Sequence, residues 1–312
     1  MVVNPLIKDG KMFNIELIFN KIKISFRDSL LLLPSSLKSL AKSFNVDNKG
    51  IFPYDFVNNE NLNYKGKVPL FKYFTGVSQI DYINYKKDFK NINWSLRDET
   101  IKYCNNDCII LYQIIAKFNT LIFEKFNVNI HRFPTLSSLA LGIYRCNYLK
   151  DFKIPIISGK LFSDIRQTYT GGSTVMFLPN GKNIYAYDVN SLYPTVMKKE
   201  QMPVGNITYF EGDILASLGE LDRANPPLGF FEVEITSPSE NEIKHPIIQT
   251  KVDTGNGLHT LSPLGSWKDM LFSPEIYNAI KYGYKFKIIR GYIFESANIF
   301  ADYIDGGFAP ML

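Results

Sequence analysis

One stretch of the sequence, residues 98–124, constrains the fold more than any other. Its apolar side chains recur every three or four residues, which is the spacing of one face of a helix: Ile101, Cys104, Cys108, Leu111, Ile115 and Phe118. We predict a long helix here and expect this face, with its two cysteines, to lie in a core.

Weaker patterns flank this helix. Residues 14–28 alternate between apolar and polar side chains and predict a hairpin or two strands of a sheet. Residues 37–44 carry apolar side chains on one helical face, and residues 136–149 predict a further helix. Residues 48–68 have the Asn, Gly and Pro content of a loop.

The character of the sequence changes near residues 150–160, where we place the boundary between two α/β units. At 312 residues the chain is long enough for two units that each bury most of their apolar surface. In the second unit we expect helices at 191–197 and 273–282 and strands at 173–178, 183–189, 229–235 and 286–293.

The composition of the chain indicates which partners it could bind and in which cellular compartment it could be encoded. A formal charge of +5 suits a polyanionic partner. Aromatic residues beside Lys and Asn are typical of platforms for single-stranded nucleic acid. They are also typical of AT-rich coding, the interpretation we favour, which is common in organelles and their plasmids.

Other compositional features exclude several classes of protein. Three cysteines and three scattered histidines form neither a disulfide framework nor a zinc motif. No run approaches the roughly 18 apolar residues of a membrane span, so we expect no membrane partner. The N-terminal residues lack the apolar core of a signal peptide, and no targeting signal is visible.

The sharpest motif lies where a predicted strand meets a predicted helix, and it reads Tyr187-Asp188-Val189-Asn190-Ser191-Leu192-Tyr193-Pro194. At the end of a buried strand, Asp188 would hold a carboxylate rigidly enough to bind Mg²⁺, and the N–H groups after it could cradle phosphates. Two-metal phosphoryl transfer needs such a carboxylate. The alternative is an Asp that ends a strand and caps a helix, with Tyr193 in the core.

Two further motifs precede it. The first reads Arg166-Gln167-Thr168-Tyr169-Thr170-Gly171-Gly172. Tandem glycines let the backbone approach another surface, which beside Arg and Tyr could be a sugar-phosphate strand; a simple β-turn is the alternative. The second is the pair Tyr103 and Asp107 on the long helix, where a carboxylate could bind a metal while the phenol positions the attacking water.

Together these motifs resemble those of protein-primed family B DNA polymerases. The D-x-x-S-L-Y-P run that starts at Asp188 is similar to the family's first palm motif. Tyr169 to Gly172 looks like the Y-x-G-G element ahead of the palm, and Tyr103 to Asp107 looks like the third exonuclease motif. The resemblance spans essentially the whole chain and is closest to polymerases of linear organellar plasmids and small bacteriophages.

The resemblance implies roles for residues of the palm. Asp188 would bridge two Mg²⁺ ions with help from the Val189 carbonyl. The backbone of Ser191 and Leu192 would face the triphosphate of an incoming deoxynucleotide. Tyr193 would exclude a ribose 2′-hydroxyl.

It also implies DNA ligands. Ser29 and Leu30 would grip the single-stranded 3′ end of the primer while Lys49 balances a phosphate. In the editing site Asp107 would hold a metal ion and Tyr103 would assist. DNA would be held between the synthesis and editing sites by Arg166, Tyr169, Gly171 and Gly172.

The fold implied by the resemblance has three parts. Residues 1–150 would form a partial ribonuclease-H-like 3′–5′ exonuclease domain, and residues 151–205 would form the start of a palm. Residues 206–312 match an insert that contacts the terminal (priming) protein in the family. The implied activity is DNA-directed DNA polymerisation on a primer-template in a mitochondrion or another organelle.

Parts of the family pattern do not occur in these 312 residues. The D-x-E and N-x-x-F-D exonuclease motifs, the finger helix K-x-x-x-N-S-x-Y-G and the second palm motif Y-x-D-T-D-S are absent. We therefore expect a chain truncated at both ends that neither polymerises nor edits by itself. The alternatives are an inert module that binds DNA or the terminal protein, a split gene completed by a partner chain, and an unstable remnant.

Overall fold

The computed structural model describes residues 2–8, 10–46, 50–172, 176, 178–214, 226–253, 255 and 257–306. By its internal contacts the chain divides into two units, Met1–Asn147 and Tyr148–Leu312. Each unit combines helices with antiparallel sheets, which confirms the α/β class. Within the described ranges, no helix is long and apolar enough to cross a membrane.

The first unit begins with a three-stranded sheet. Its strands β1 (Val2–Lys8), β2 (Lys11–Phe19) and β3 (Ile22–Phe26) lie in the order β1-β2-β3. The β2–β3 pair confirms the predicted hairpin. Its two turn residues, Asn20 and Lys21, both have positive φ, as a tight two-residue turn between twisted strands requires.

Among the described residues of this unit, four α-helices follow: α1 (Leu37–Ser43), α2 (Gln79–Lys87), α3 (Leu96–Phe126) and α4 (Leu136–Asn147). The sequence predicted α1, α3 and α4, but it did not predict α2. The connection between α1 and α2 contains a two-residue strand, β4 (Lys65–Gly66), which pairs with β5 (Trp94–Ser95) just before α3. Ser95 then caps α3, because its side chain accepts the Asp98 N–H.

The long helix lies where it was predicted, but its predicted buried face is wrong in the N-terminal part; of the predicted residues, Phe118 is buried. The side chain of Ile101 is 51% exposed, and Cys104 and Cys108 are exposed as well. The buried residues recur every four positions, from Ile110 onward: Ile110, Ile114, Phe118, Ile122 and Phe126. Apolar residues occur on both sides of the helix between 108 and 115, so spacing alone could not identify the packed face.

The second unit is built on a four-stranded antiparallel sheet with the order β10-β7-β11-β6. Its strands are β6 (Met202–Glu211), β7 (Gly229–Thr236), β10 (Ser266–Phe272) and β11 (Lys285–Ala297). A separate hairpin consists of β8 (Thr250–Asp253) and β9 (Leu258–Leu261). The strands predicted at 229–235 and 286–293 are confirmed as β7 and β11.

The helix predicted at 273–282 is confirmed as α7 (Ser273–Ile280), and it packs against this sheet. Phe231, Val233 and Ile235 of β7 are fully buried together with Ile276 of α7. The described part of this unit contains three further helices, α5 (Gly159–Gln167), α6 (Leu192–Lys199) and α8 (Ala301–Asp305). The prediction for 191–197 is confirmed as α6, whereas α5 was not predicted.

The strand predicted at 183–189 is wrong. These residues form no regular element, and the side chains of Ile184 and Tyr187 are 77% and 93% exposed. A strand needs a neighbour for its backbone N–H and C=O groups, and no described strand pairs with this segment. Of the strand predicted at 173–178, residues 173–175 and 177 lie outside the described residues, and Met176 and Leu178 are not in a strand.

Candidate nucleic-acid and nucleotide site

Asp188 lies in an exposed irregular segment, not at the end of a buried strand as expected. Three residues later, Ser191 adopts the left-handed conformation (φ 50, ψ 51) and is the N-cap of α6. Asp188 is therefore not the cap of this helix, so the alternative in which it ends a strand and caps the helix is wrong. A non-glycine residue in this conformation costs about 1–2 kcal/mol, and such strain clusters at functional sites.

The first turn of α6 is open to solvent, while its last turn is anchored. Tyr193 is 80% exposed and Leu192 is 52% exposed, so Tyr193 is not a core residue. At the other end, the Lys198 ammonium lies 2.6 Å from a carboxylate oxygen of Asp305 in α8. The first N–H groups of a helix have no partner within it, so this end can receive an anionic group.

The described residues do not form a complete metal centre. Within the described ranges, no group of three or more His, Cys, Asp or Glu side chains lies close enough together to hold a metal ion. A two-metal centre needs several carboxylates around its ions. Asp188 and Asp107 are therefore each at most part of such a site.

The second motif forms an open platform after α5. The Arg166 guanidinium lies 4.7 Å from the centroid of the Tyr169 ring, which is 62% exposed. Neither Gly171 nor Gly172 has a positive φ, and a Cβ built on either meets no described atom within 4 Å. These glycines do not serve a described turn or a described close contact, so the space in front of them is available to a ligand.

A groove adjoins this platform within the second unit. Two neighbouring depressions of about 530 and 580 Å³ share Arg166, Thr168 and Glu275 in their walls. Burial raises the pKa of Glu275, and the nearby Asp269 carboxylate adds to the shift although the Phe272 N–H opposes it. Because carboxylates line the groove, its basic rim at Arg166 is the part suited to a phosphate.

In the first unit, Ser29 and Leu30 begin a short 3-10 helix (Ser29–Leu31). The Asp28 carboxylate accepts the Leu30 N–H at 2.9 Å, so Asp28 is a cap. The side chain of Leu30 is 54% exposed. Ser29 lines a depression of about 350 Å³, together with Arg27 and His131. The structure thus presents the predicted primer ligands Ser29 and Leu30 at the surface.

Tyr103 and Asp107 share one region of α3. The phenol oxygen of Tyr103 lies 2.5 Å from that of Tyr54, a partner that sequence reasoning missed because it lies 49 residues earlier, between α1 and α2. Gly50 lies beside this region, since a Cβ placed on it would lie 3.7 Å from the Tyr103 ring and 3.8 Å from the Asn106 side-chain nitrogen. The predicted phosphate ligand Lys49 lies outside the described residues.

Sequence reasoning also missed a polar network in the second unit. The carboxylate of Asp164 in α5 is 6% exposed and bonds to Arg290 and Tyr292 of β11. The available signal was weak: the charged Arg290 precedes the aromatic residues Tyr292 and Phe294 at every second position of β11, which places all three on one face of the strand.

Residues 1–309 match the family model described as DNA polymerase type B, organellar and viral. A probable DNA polymerase of Ascobolus immersus is 40% identical over 317 residues, covering 97% of this chain and 26% of the relative. A probable DNA polymerase of Neurospora intermedia is 39% identical over 318 residues, covering 97% and 33%. The chain thus spans about a quarter to a third of the length of these curated relatives.

Among solved structures, the fold is similar to that of phi29 DNA polymerase. The orthorhombic crystal form matches with a TM-score of 0.57 and 21% identity, covering 97% of this chain and 48% of that one. The ternary complex with primer-template DNA and incoming nucleotide substrates matches with a TM-score of 0.58 and 22% identity, covering 95% and 47%. At this identity the likeness concerns the fold alone.

Proposed function

Because the chain belongs to the family of organellar and viral type B DNA polymerases, we propose that it acts in protein-primed DNA replication of a linear plasmid-like element, in a mitochondrion or another organelle. In that process the described residues bind DNA and nucleotide. The open platform of Arg166, Tyr169, Gly171 and Gly172 is the observation that carries this proposal. It combines a cation, an exposed ring and an accessible backbone, which are the groups that bind a single strand.

Each part of the platform has a distinct task. Arg166 neutralises a phosphate, and the Tyr169 ring stacks on a base or sugar. The backbone at Gly171 and Gly172 approaches the next phosphates. In the first unit, assigned here to a partial exonuclease-like domain, Ser29 and Leu30 hold the primer 3′ end with Lys49.

The turn from Asp188 to Tyr193 receives the deoxynucleoside triphosphate. The phosphates of this nucleotide face the N–H groups at Ser191 and Leu192, and its sugar lies against Tyr193. Divalent metal, which we propose to be Mg²⁺, would neutralise the triphosphate with Asp188 and the Val189 carbonyl as ligands. The described residues do not complete that metal site, so nucleotidyl transfer requires further carboxylates.

A module that binds without catalysis is the second candidate, and the exposed Asp188 favours it. In this version the chain holds DNA through the platform. The insert at residues 206–312 holds the terminal protein through its four-stranded sheet.

Binding to a fluorescent oligothymidylate, measured by anisotropy at low salt, tests the proposal. We expect weak, sequence-independent binding that Arg166→Ala with Tyr169→Ala reduces severalfold. Lys281→Ala with Tyr282→Ala is the matched control, because it removes an exposed cation and ring elsewhere in the unit. Equal affinity in the platform variant and the wild type would contradict the proposal.

Primer extension tests whether the chain transfers nucleotides by itself, which neither candidate allows. The 312-residue chain, with Mg²⁺ and all four deoxynucleotides, should extend no primer. Template-dependent extension that is lost in Asp188→Ala would show that the chain is a complete catalyst and would overturn the binding-only version.

A further inference from the structure

Helix α5 carries an unusual residue for a short surface helix. Asp164 is 6% exposed and is the only buried residue of this helix. A buried carboxylate is costly unless it is paired and hydrogen-bonded. Its partners therefore decide where this helix sits.

Those partners belong to the four-stranded sheet of the second unit (β6, β7, β10 and β11), called the insert sheet below. A carboxylate oxygen of Asp164 lies 2.8 Å from Nη1 of Arg290 and 2.8 Å from the Tyr292 hydroxyl. Arg290 is held in turn, because its Nε lies 2.5 Å from the carboxylate of Glu232, its cross-strand neighbour on β7. This hydrogen-bonded network is largely shielded from water, since the Arg290 side chain is 18% exposed.

Helix α5 leads directly into the open platform that begins at Arg166. It ends at Gln167, so Arg166 lies in its last turn and Tyr169 lies two residues beyond it. An isolated helix of nine residues is not stable in water. Its position, and that of Arg166, depends on what fastens it to the rest of the unit.

We infer that Asp164 is a positioning residue for nucleic-acid binding. Through Arg290 and Tyr292 it fixes α5 on the insert sheet, and so it sets the place of the Arg166–Tyr169 pair. This inference rests on the proposed function of the platform. It adds that the insert sheet determines the geometry of the DNA contact.

The chain offers graded variants and a matched control. Asp164→Ala removes the network, and Asp164→Asn keeps its shape without the charge. Tyr292→Phe deletes a single hydroxyl. Glu234→Gln is the control, because Glu234 pairs with Lys268 across the same sheet in an exposed ion pair of 3.0 Å.

Oligothymidylate affinity and the urea midpoint are measured for each full-length variant. We expect Asp164→Ala to weaken binding about fivefold, with smaller losses for Asp164→Asn and Tyr292→Phe, as for residues that act through a coupled network. Glu234→Gln should bind as the wild type does.

The decisive measurement repeats the substitutions in the Arg166→Ala, Tyr169→Ala background. If Asp164 acts through the platform, adding Asp164→Ala to the Arg166→Ala, Tyr169→Ala variant causes no further loss of DNA affinity, although it still lowers the urea midpoint. An equal loss in both backgrounds, or wild-type affinity in the single variant, overturns the inference. If Asp164→Ala does not fold, Tyr292→Phe undergoes the same comparison. If the background variant itself binds as the wild type does, the proposed function of the platform fails first.

Discussion

Replacing Gly171 and Gly172 by alanine should affect DNA affinity and the free energy of unfolding in opposite ways. A Cβ at either position meets no described atom within 4 Å, and neither residue has a positive φ. Alanine restricts the unfolded chain more than glycine does. Each substitution should therefore raise the free energy of unfolding by about 0.4–1 kcal/mol.

DNA affinity should change in the opposite direction. In our proposal the glycine backbone approaches phosphate oxygens, and two methyl groups would hold the strand away. The loss of one hydrogen bond to a charged group costs about 1.5–3 kcal/mol. Since 1.4 kcal/mol corresponds to a factor of ten, the double variant should bind oligothymidylate roughly ten- to a hundredfold more weakly.

Gly142→Ala is the contrasting control. A Cβ at Gly142 would lie 2.3 Å from the Phe133 ring, so alanine overpacks α4. We expect a loss of about 1–3 kcal/mol in the free energy of unfolding with unchanged DNA affinity. Urea unfolding and anisotropy titration give both quantities. Destabilisation of the Gly171, Gly172 variant, or unchanged affinity in it, would refute the reasoning.

Three other perturbations test separate parts of the structure. Ile114→Ala should lower the free energy of unfolding by about 2–5 kcal/mol, whereas the exposed Ile109→Ala should change it by less than about 0.5 kcal/mol; similar losses in urea would contradict the buried face of α3. Arg166→Ala should make the plot of log affinity against log salt less steep by about 0.7, and an unchanged slope would mean that Arg166 contacts no phosphate. Burial alone would raise the pKa of Asp164, but hydrogen bonds from Arg290 and Tyr292 lower it overall. The carboxylate therefore stabilises the fold above about pH 4 and loses this effect as the pH falls through its lowered pKa. The difference in urea midpoint between wild type and Asp164→Asn should accordingly shrink in acid, and a difference that stays constant would exclude this origin.

How well the sequence predicted an element depended on where its partners lie. β7 was predictable because Phe231, Val233 and Ile235 alternate with polar residues, and this pattern records one buried face. Residues 183–189 are also apolar but form no strand, because strand formation requires a neighbour that the pattern does not reveal. The existence of α3 followed from its length, whereas its buried face depended on packing against α1.

The site shows the same division. The motifs around Asp188 and Tyr169 were recognisable because each is contiguous in the chain. The network of Asp164 was not, since Arg290 lies 126 residues away. No local pattern records a contact at that separation, and α5 itself was too short to give a clear periodicity.

The exposed segment at residues 183–189 also affects how the protein behaves in concentrated solution. Ile184, Tyr185 and Tyr187 are each at least three-quarters exposed, and the backbone there pairs with no described strand. Such a segment favours edge-to-edge aggregation. Asp188 is the only charged residue within it, and a charge inside an apolar segment opposes that association. Asp188→Ala therefore removes a gatekeeper against aggregation together with the candidate metal ligand, and its activity is meaningful only for protein that still elutes as a single species.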